Sequence, residues 1–166
     1  MDFHLDSLLN LPNVTVFTHR QRADSIILQL ELLNEGIICP HCQKYSDELN
    51  QNRPILVRDL SISGRAVYLQ VPRRQFYCKE CKKYTTESLT WIGIGRNYTQ
   101  RYEEYIYEKV KVLTVEQVSQ DEGISVQKIK IIFHRMSQSQ KDWRHSKDLN
   151  SRSNNKLKFI TEIKAI

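Results

Sequence analysis

Four cysteines fall in two Cys-x-x-Cys pairs, Cys39-Pro-His-Cys42 and Cys78-Lys-Glu-Cys81, with 35 residues between them. A Cys-x-x-Cys turn sets two sulfurs on one side of a knuckle. Two such knuckles close four thiolates around Zn²⁺ in a tetrahedron with bonds of about 2.3 Å. The pattern predicts one structural zinc ion held by Cys39, Cys42, Cys78 and Cys81. The interval is longer than the about 15–20 residues of the commonest four-cysteine spacing, and strands filling it make a zinc ribbon. Two readings compete: a redox dithiol, which needs only one pair, and two disulfides, which need an oxidising compartment that nothing in the chain indicates. His41 lies inside the first knuckle, but four sulfurs complete the metal's shell, and it reads as a surface turn residue.

The elements that must position these ligands are legible from periodicity. Val14-Thr-Val-Phe-Thr-His19 and Ile26-Ile-Leu-Gln-Leu-Glu-Leu32 read as strands of a hairpin leading into the first knuckle. The second of them places Ile26, Leu28, Leu30 and Leu32 on one face. Between the knuckles, Ile55–Leu60, a turn at Ser63-Gly64 and Ala66–Val71 make a second hairpin, which continues through Arg73-Arg-Gln-Phe-Tyr77 into Cys78. Pro72 has no N–H for a ladder and belongs at an edge or bulge. Arg73 and Arg74 then stand beside the metal with Phe76 and Tyr77, and with Arg65, Lys79, Lys82 and Lys83 they make the mix of cations and aromatics that phosphate-backbone contact uses; the alternative is that Phe76 and Tyr77 pack the ribbon's core and the charges are solvated.

After Trp91 the period becomes helical. Ile92-Gly-Ile-Gly95 reads as a linker, and Tyr98, Tyr102, Tyr105, Ile106 and Val110 recur near 3.6 residues as the core stripe of a helix. Thr114 and Gln117 form a capping box, Gly123 ends that helix, Ile124 fills the angle, and Ser125 caps a second helix. Ile129, Ile132, Phe133 and Met136 fall on that helix's buried face. This order predicts a helix-turn-helix. Residues near the start of a recognition helix reach base edges, so Gln127 and Lys128 are the candidate base readers, with Lys130 and Arg135 on phosphate.

The chain has 166 residues and a net charge of +6. Residues 1–38 carry two Lys/Arg against five Asp/Glu, whereas 39–91 carry nine against five, which directs a polyanionic partner to the ribbon onward. No stretch approaches the about 20 apolar residues of a membrane span, and the N-terminus lacks the pattern of a signal peptide. A cytoplasmic, DNA-associated protein without a membrane partner is expected. No Walker loop, dinucleotide fingerprint, Ser-His-Asp arrangement or His-Glu-x-x-His occurs.

From about residue 10 to Trp143 the chain resembles the N-terminal half of the ISL-three family of bacterial insertion-sequence transposases. The resemblance rests on Cys39-Pro-His-Cys42, on Val57-Arg-Asp-Leu60 leading to Arg73-Arg-Gln-Phe-Tyr-Cys78, on Cys81 with Thr85, and on the segment from Thr114. It implies a zinc ribbon and helix-turn-helix that bind element ends, joined in full-length members to a ribonuclease-H-like domain whose three carboxylates hold two metal ions. Where that domain would begin, residues 146–155 are polar, and Asp148 and Glu162 are not assigned as catalytic.

The expected fold class is therefore α+β, a small β-rich zinc ribbon followed by an all-α helix-turn-helix domain. The expected regions are an N-terminal β-hairpin region (1–38), the four-cysteine ribbon (39–91), the helix-turn-helix domain (96–145) and a polar, disordered tail (146–166). The expected function is sequence-specific binding of double-stranded DNA at element terminal repeats by a truncated transposase-like protein without catalytic residues, with a homodimer or an intact transposase as further partner. The alternative is a ribbon that binds RNA or a protein, with the helices as a dimer interface.

Overall fold

A computed structural model describes residues 3–93 and 95–139. The tail expected over 146–166 and the end of the helical region lie outside them. Two compact units divide between Tyr102 and Glu103.

The first unit is built on a five-stranded sheet. Its strands are β1 (Val14–Gln21), β2 (Ser25–Leu32), β5 (Glu48–Ile62), β6 (Arg65–Cys78) and β7 (Lys83–Thr86), and two short strands, β3 (Ile37–Ile38) and β4 (Tyr45–Ser46), form a separate pair. The sheet order is β1-β2-β6-β5, with β7 also on β6. Both predicted hairpins form: β1 pairs β2 antiparallel, and β5 pairs β6 antiparallel around Ser63 and Gly64, whose φ values of 50° and 73° suit a tight hairpin turn. A parallel pairing of β2 with β6, Ser25 through Gln29 against Ala66 through Gln70, joins them. One sheet thus runs through the stretches 1–38 and 39–91 that the sequence presents in succession.

Alternation explains the core. Ile26, Leu28 and Leu30 from β2 meet Val67, Leu69 and Val71 from β6, Val57 from β5, Val14 and Val16 from β1, and Trp91. Helix α1 (Phe3–Leu9), which periodicity does not reveal, adds Leu9. Asp6 fixes this helix on β1 by accepting from the Val16 N–H at 2.6 Å and the Thr15 hydroxyl at 2.7 Å.

Pro72 faces Pro54 across β5 and β6. Neither has an N–H to exchange, so the two form a pair without mutual hydrogen bonds, with backbone polar groups turned outward. On the other side of β6, β2 stops at Gln70 and β7 begins at Gln75, so Pro72 sits at the local edge that its chemistry requires.

The stretch after Trp91 is bound to the sheet rather than being a free linker. Ile92 bridges Thr99, the Arg58 N–H donates to the Asn97 carbonyl, and the Thr99 N–H donates to the Arg58 carbonyl. Beneath it, Asp59 is 2% exposed and accepts from the Thr99 hydroxyl and, in a two-pronged pair, from the Arg101 guanidinium. Arg101 also donates to the Leu9 carbonyl at 2.6 Å. These bonds tie α1, β5 and the segment before the helices to one buried carboxylate.

Helix α2 (Gln100–Val110) starts at Gln100 rather than Tyr98. Tyr102 and Ile106 are buried as expected, but Tyr105 is at the surface and Tyr107 takes its place in the core, stacked on Phe133 at 5.2 Å. In the second unit, α3 (Val115–Glu122) begins at Thr114, whose side chain accepts from the Gln117 N–H. Only half of the predicted capping box forms, because the Gln117 amide donates to Asp121 instead of reaching back. Gly123, at φ 64°, ends α3, and Ser119 closes the turn by donating to the Ile124 carbonyl at 2.7 Å. Helix α4 (126–139) follows, with Ile129 and Ile132 buried, as is Val118 of α3.

Candidate metal centre

Each knuckle is a loop whose backbone closes on itself. In the first, the Cys39 N–H donates to the Lys44 carbonyl and the Gln43 N–H to the Cys39 carbonyl, while β3 and β4 flank the loop. In the second, Cys78 at the end of β6 faces Lys83 at the start of β7. The residue after the last cysteine of each pair, Gln43 or Lys82, takes the left-handed conformation, φ 60° or 54°. This reverses the chain so that both sulfurs point inward.

The four sulfurs lie within 4.8 Å of one another. Cys39 Sγ stands 3.6 Å from Cys81 Sγ, and Cys42 Sγ 3.5 Å from Cys78 Sγ. A tetrahedral site with bonds of about 2.3 Å needs its sulfurs about 3.8 Å apart, so the cluster has the size of a zinc shell. A disulfide needs about 2.05 Å, and all four cysteines are free thiols.

The sulfurs also differ in acidity. Burial pushes the Cys39 thiol up, yet the His41 and Cys42 backbone N–H groups and its sulfur neighbours outweigh this and lower it to about 6. Cys81 is pushed up to about 12, first by burial and then by the surrounding sulfurs. Four sulfurs this close cannot all ionise by themselves; the charge of a metal dication makes the full set of thiolates stable. The donor set fits zinc, which these four residues hold as a structural ion.

Side chains around the metal bind the two knuckles together. Ser46 donates to the Tyr77 carbonyl at 2.7 Å, linking β4 to β6. Arg74 donates to both oxygens of Glu87, at 2.7 and 2.8 Å, and to the Asn34 carbonyl at 2.7 Å, and Asn34 in turn donates to Glu87 at 2.6 Å. This clamp joins the chain entering the first knuckle to the chain leaving the second.

It also corrects an expectation. Arg74, read from sequence as a DNA contact, has its guanidinium committed inside the protein because a buried carboxylate stands opposite it. Arg135 is likewise ion-paired to Glu103, which is 0% exposed, and does not stand free for phosphate. Arg73, Lys82 and Lys83 are exposed near the metal, and Gln127, Lys128 and Lys130 are exposed on α4. The two groups belong to different units. Sequence reasoning missed the buried carboxylates Asp59, Glu87 and Glu103; the only sequence hint is the pair of charges in the otherwise apolar strand segment Val57-Arg-Asp-Leu60.

Among the described residues, no helix is long and apolar enough to cross a membrane. Residues 35–81 match a protein family described as the zinc-finger of transposase IS204/IS1001/IS1096/IS1165. The transposase for insertion sequence element IS1001 from Bordetella parapertussis is 32% identical over 65 residues, which are 39% of this chain and 16% of that protein. No solved structure shows a significant likeness to the chain. Residues 35–81, which carry the four-cysteine cluster, are thus similar to the zinc finger of these transposases, and the chain spans less than a fifth of the length of the relative it matches.

Proposed function

We propose that the chain recognises the ends of an insertion element as sequence-specific duplex DNA, with α3 and α4 acting as a helix-turn-helix. The observation that carries this reading is the division of α4. Ile129 and Ile132 are buried, while Gln127, Lys128, Lys130 and Ile131 are exposed, with Gln127 and Ile131 one turn apart away from the buried pair. Gln and Lys offer hydrogen-bond donors to base edges, and an apolar side chain such as Ile131 suits the thymine methyl. Arg73, Lys82 and Lys83 on the ribbon supply salt-dependent affinity for phosphate. The match to the zinc finger of transposases supports a DNA partner for the ribbon.

The test is competition between duplexes carrying the element's terminal repeats and random duplex, in moderate salt. Selective binding is expected. Gln127→Ala with Lys128→Ala should flatten the preference, each lost base contact costing about 1–3 kcal/mol of discrimination, whereas Lys82→Ala should weaken all duplexes alike. Equal binding of terminal repeats and random DNA by the unaltered protein overturns the proposal.

A second reading, with the helices as a protein or dimer interface, draws on exposed apolar side chains of the same unit. Val112 is 80% exposed and Ile131 60%. A dimer that dissociates on Ile131→Lys without any DNA preference favours it.

A further inference from the structure

Both knuckles carry the same seven-residue pattern. Cys39-Pro-His-Cys42-Gln-Lys-Tyr45 and Cys78-Lys-Glu-Cys81-Lys-Lys-Tyr84 share Cys-x-x-Cys-x-Lys-Tyr, of which the metal needs only the cysteines. The backbone repeats too, with a left-handed residue after the second cysteine and the first cysteine facing the lysine of its own loop. Lys44 and Lys83 are exposed, and Tyr45 and Tyr84 are each 57% exposed. A tyrosine required by the ribbon's core would be buried; here two large rings at equivalent places are left equally open.

Each ring is supported on one side. Tyr45 lies over Gly36, where an added Cβ would stand 2.8 Å from its Cζ and Oη. Tyr84 packs on Tyr77, with ring centroids 5.1 Å apart. The rings are therefore held in place before any ligand arrives. The two seven-residue stretches contain four lysines and one glutamate; Lys79 is ion-paired to Glu48, and the exposed Lys44, Lys82 and Lys83 favour a polyanion over an apolar or cationic partner.

A base pair inside a duplex keeps its faces in its own stack and presents phosphates, sugars and groove edges to a protein. An exposed ring is useful to a base that has left the stack, and a lysine next to it in the chain can reach a flanking phosphate. We propose that the two Lys–Tyr sites, one on each knuckle, bind single-stranded DNA, with Tyr45 and Tyr84 stacking on unpaired bases and Lys44 and Lys83 taking the flanking phosphates. Lys83 also serves the duplex reading, but the stacking rings do not, so base stacking can fail or hold whatever α4 does.

The test is the fluorescence anisotropy of a short labelled oligodeoxythymidine with the zinc-loaded full chain. Tyr45→Leu with Tyr84→Leu should weaken binding about tenfold or more, since a base on an aromatic ring is worth a several-fold to hundredfold change. Tyr45→Phe with Tyr84→Phe should bind like the parent. Zinc content is measured for every variant. If the Leu variant loses zinc, the unaltered chain decides: it should bind oligodeoxythymidine at least tenfold more tightly than an abasic oligomer of equal length and charge. Equal binding to the abasic oligomer, or a zinc-loaded Leu variant that binds like the parent, overturns the proposal. Tighter binding of oligouridine overturns it in favour of RNA.

Discussion

The two knuckles share a sequence pattern and a backbone shape, and they differ in what stands behind them. The second closes β6, a strand of 14 residues hydrogen-bonded to β2, β5 and β7. The first is flanked by two strands of two residues each, which pair only with each other. Beyond its direct run from Ser46 into β5 at Glu48, it is tied to the sheet by the Ser46 hydroxyl on Tyr77 and by the clamp of Asn34, Glu87 and Arg74, with the metal to complete the closure. The same ligand geometry is thus reached in two ways. A large sheet pre-forms one half of the shell, and the ion organises the other half.

The largest expected effect comes from removing the metal. Chelation, or Cys39→Ser, should free the first knuckle while the sheet around Val67 and Leu69 holds. Hydrogen exchange should show the Cys39 and Gln43 amides, both hydrogen-bonded in the knuckle, losing protection while those of β6 keep it. Loss of protection in both regions together would break the comparison. Acidification should act in the same direction, because protons compete with zinc for the thiolates, and zinc release can be followed with a chromogenic chelator.

A smaller effect should follow Glu87→Ala, which leaves the Arg74 guanidinium, its side chain 12% exposed, without its carboxylate. Removing one partner of a buried pair costs about 3–5 kcal/mol, measured as a shift in the urea midpoint. Unchanged stability would mean that the clamp does not support the first knuckle.

The smallest is Ser46→Ala. Losing the bond to Tyr77 should cost about 1 kcal/mol, felt as several-fold weaker zinc binding with the sheet's own stability unaltered. A loss of sheet stability of the same size would show that the first knuckle is not the separately held half.

What the sequence reveals of this arrangement follows from how local each signal is. The cysteine pairs are local, as is the alternation of Ile26, Leu28 and Leu30 and the turn at Ser63-Gly64, and each is found where expected. Strands β3, β4 and β7 are two to four residues long, too short to show a period, and the parallel pairing of β2 with β6 has no signature at all. Arginine roles were the least legible. Arg74 meets a carboxylate 13 residues away and Arg135 one 32 residues away, while Arg73 stays exposed, and nothing in the side chain itself foretells which. The matched Lys–Tyr pairs were legible in the sequence, but only their equal exposure gives the repetition meaning.

Pro54 and Pro72 have one more consequence. Strand β5 ends the sheet order, and among the described residues its outer side is bridged at Arg58 by Tyr98. A strand of 15 residues with an open rim invites a second copy to zip alongside it, the first step towards insoluble aggregates. Pro54 turns toward that rim without a donor to offer, with the charged Arg53 beside it, so an approaching strand finds its ladder interrupted midway. The proline that looks like a flaw in a long hairpin helps keep separate copies of the protein from sticking together.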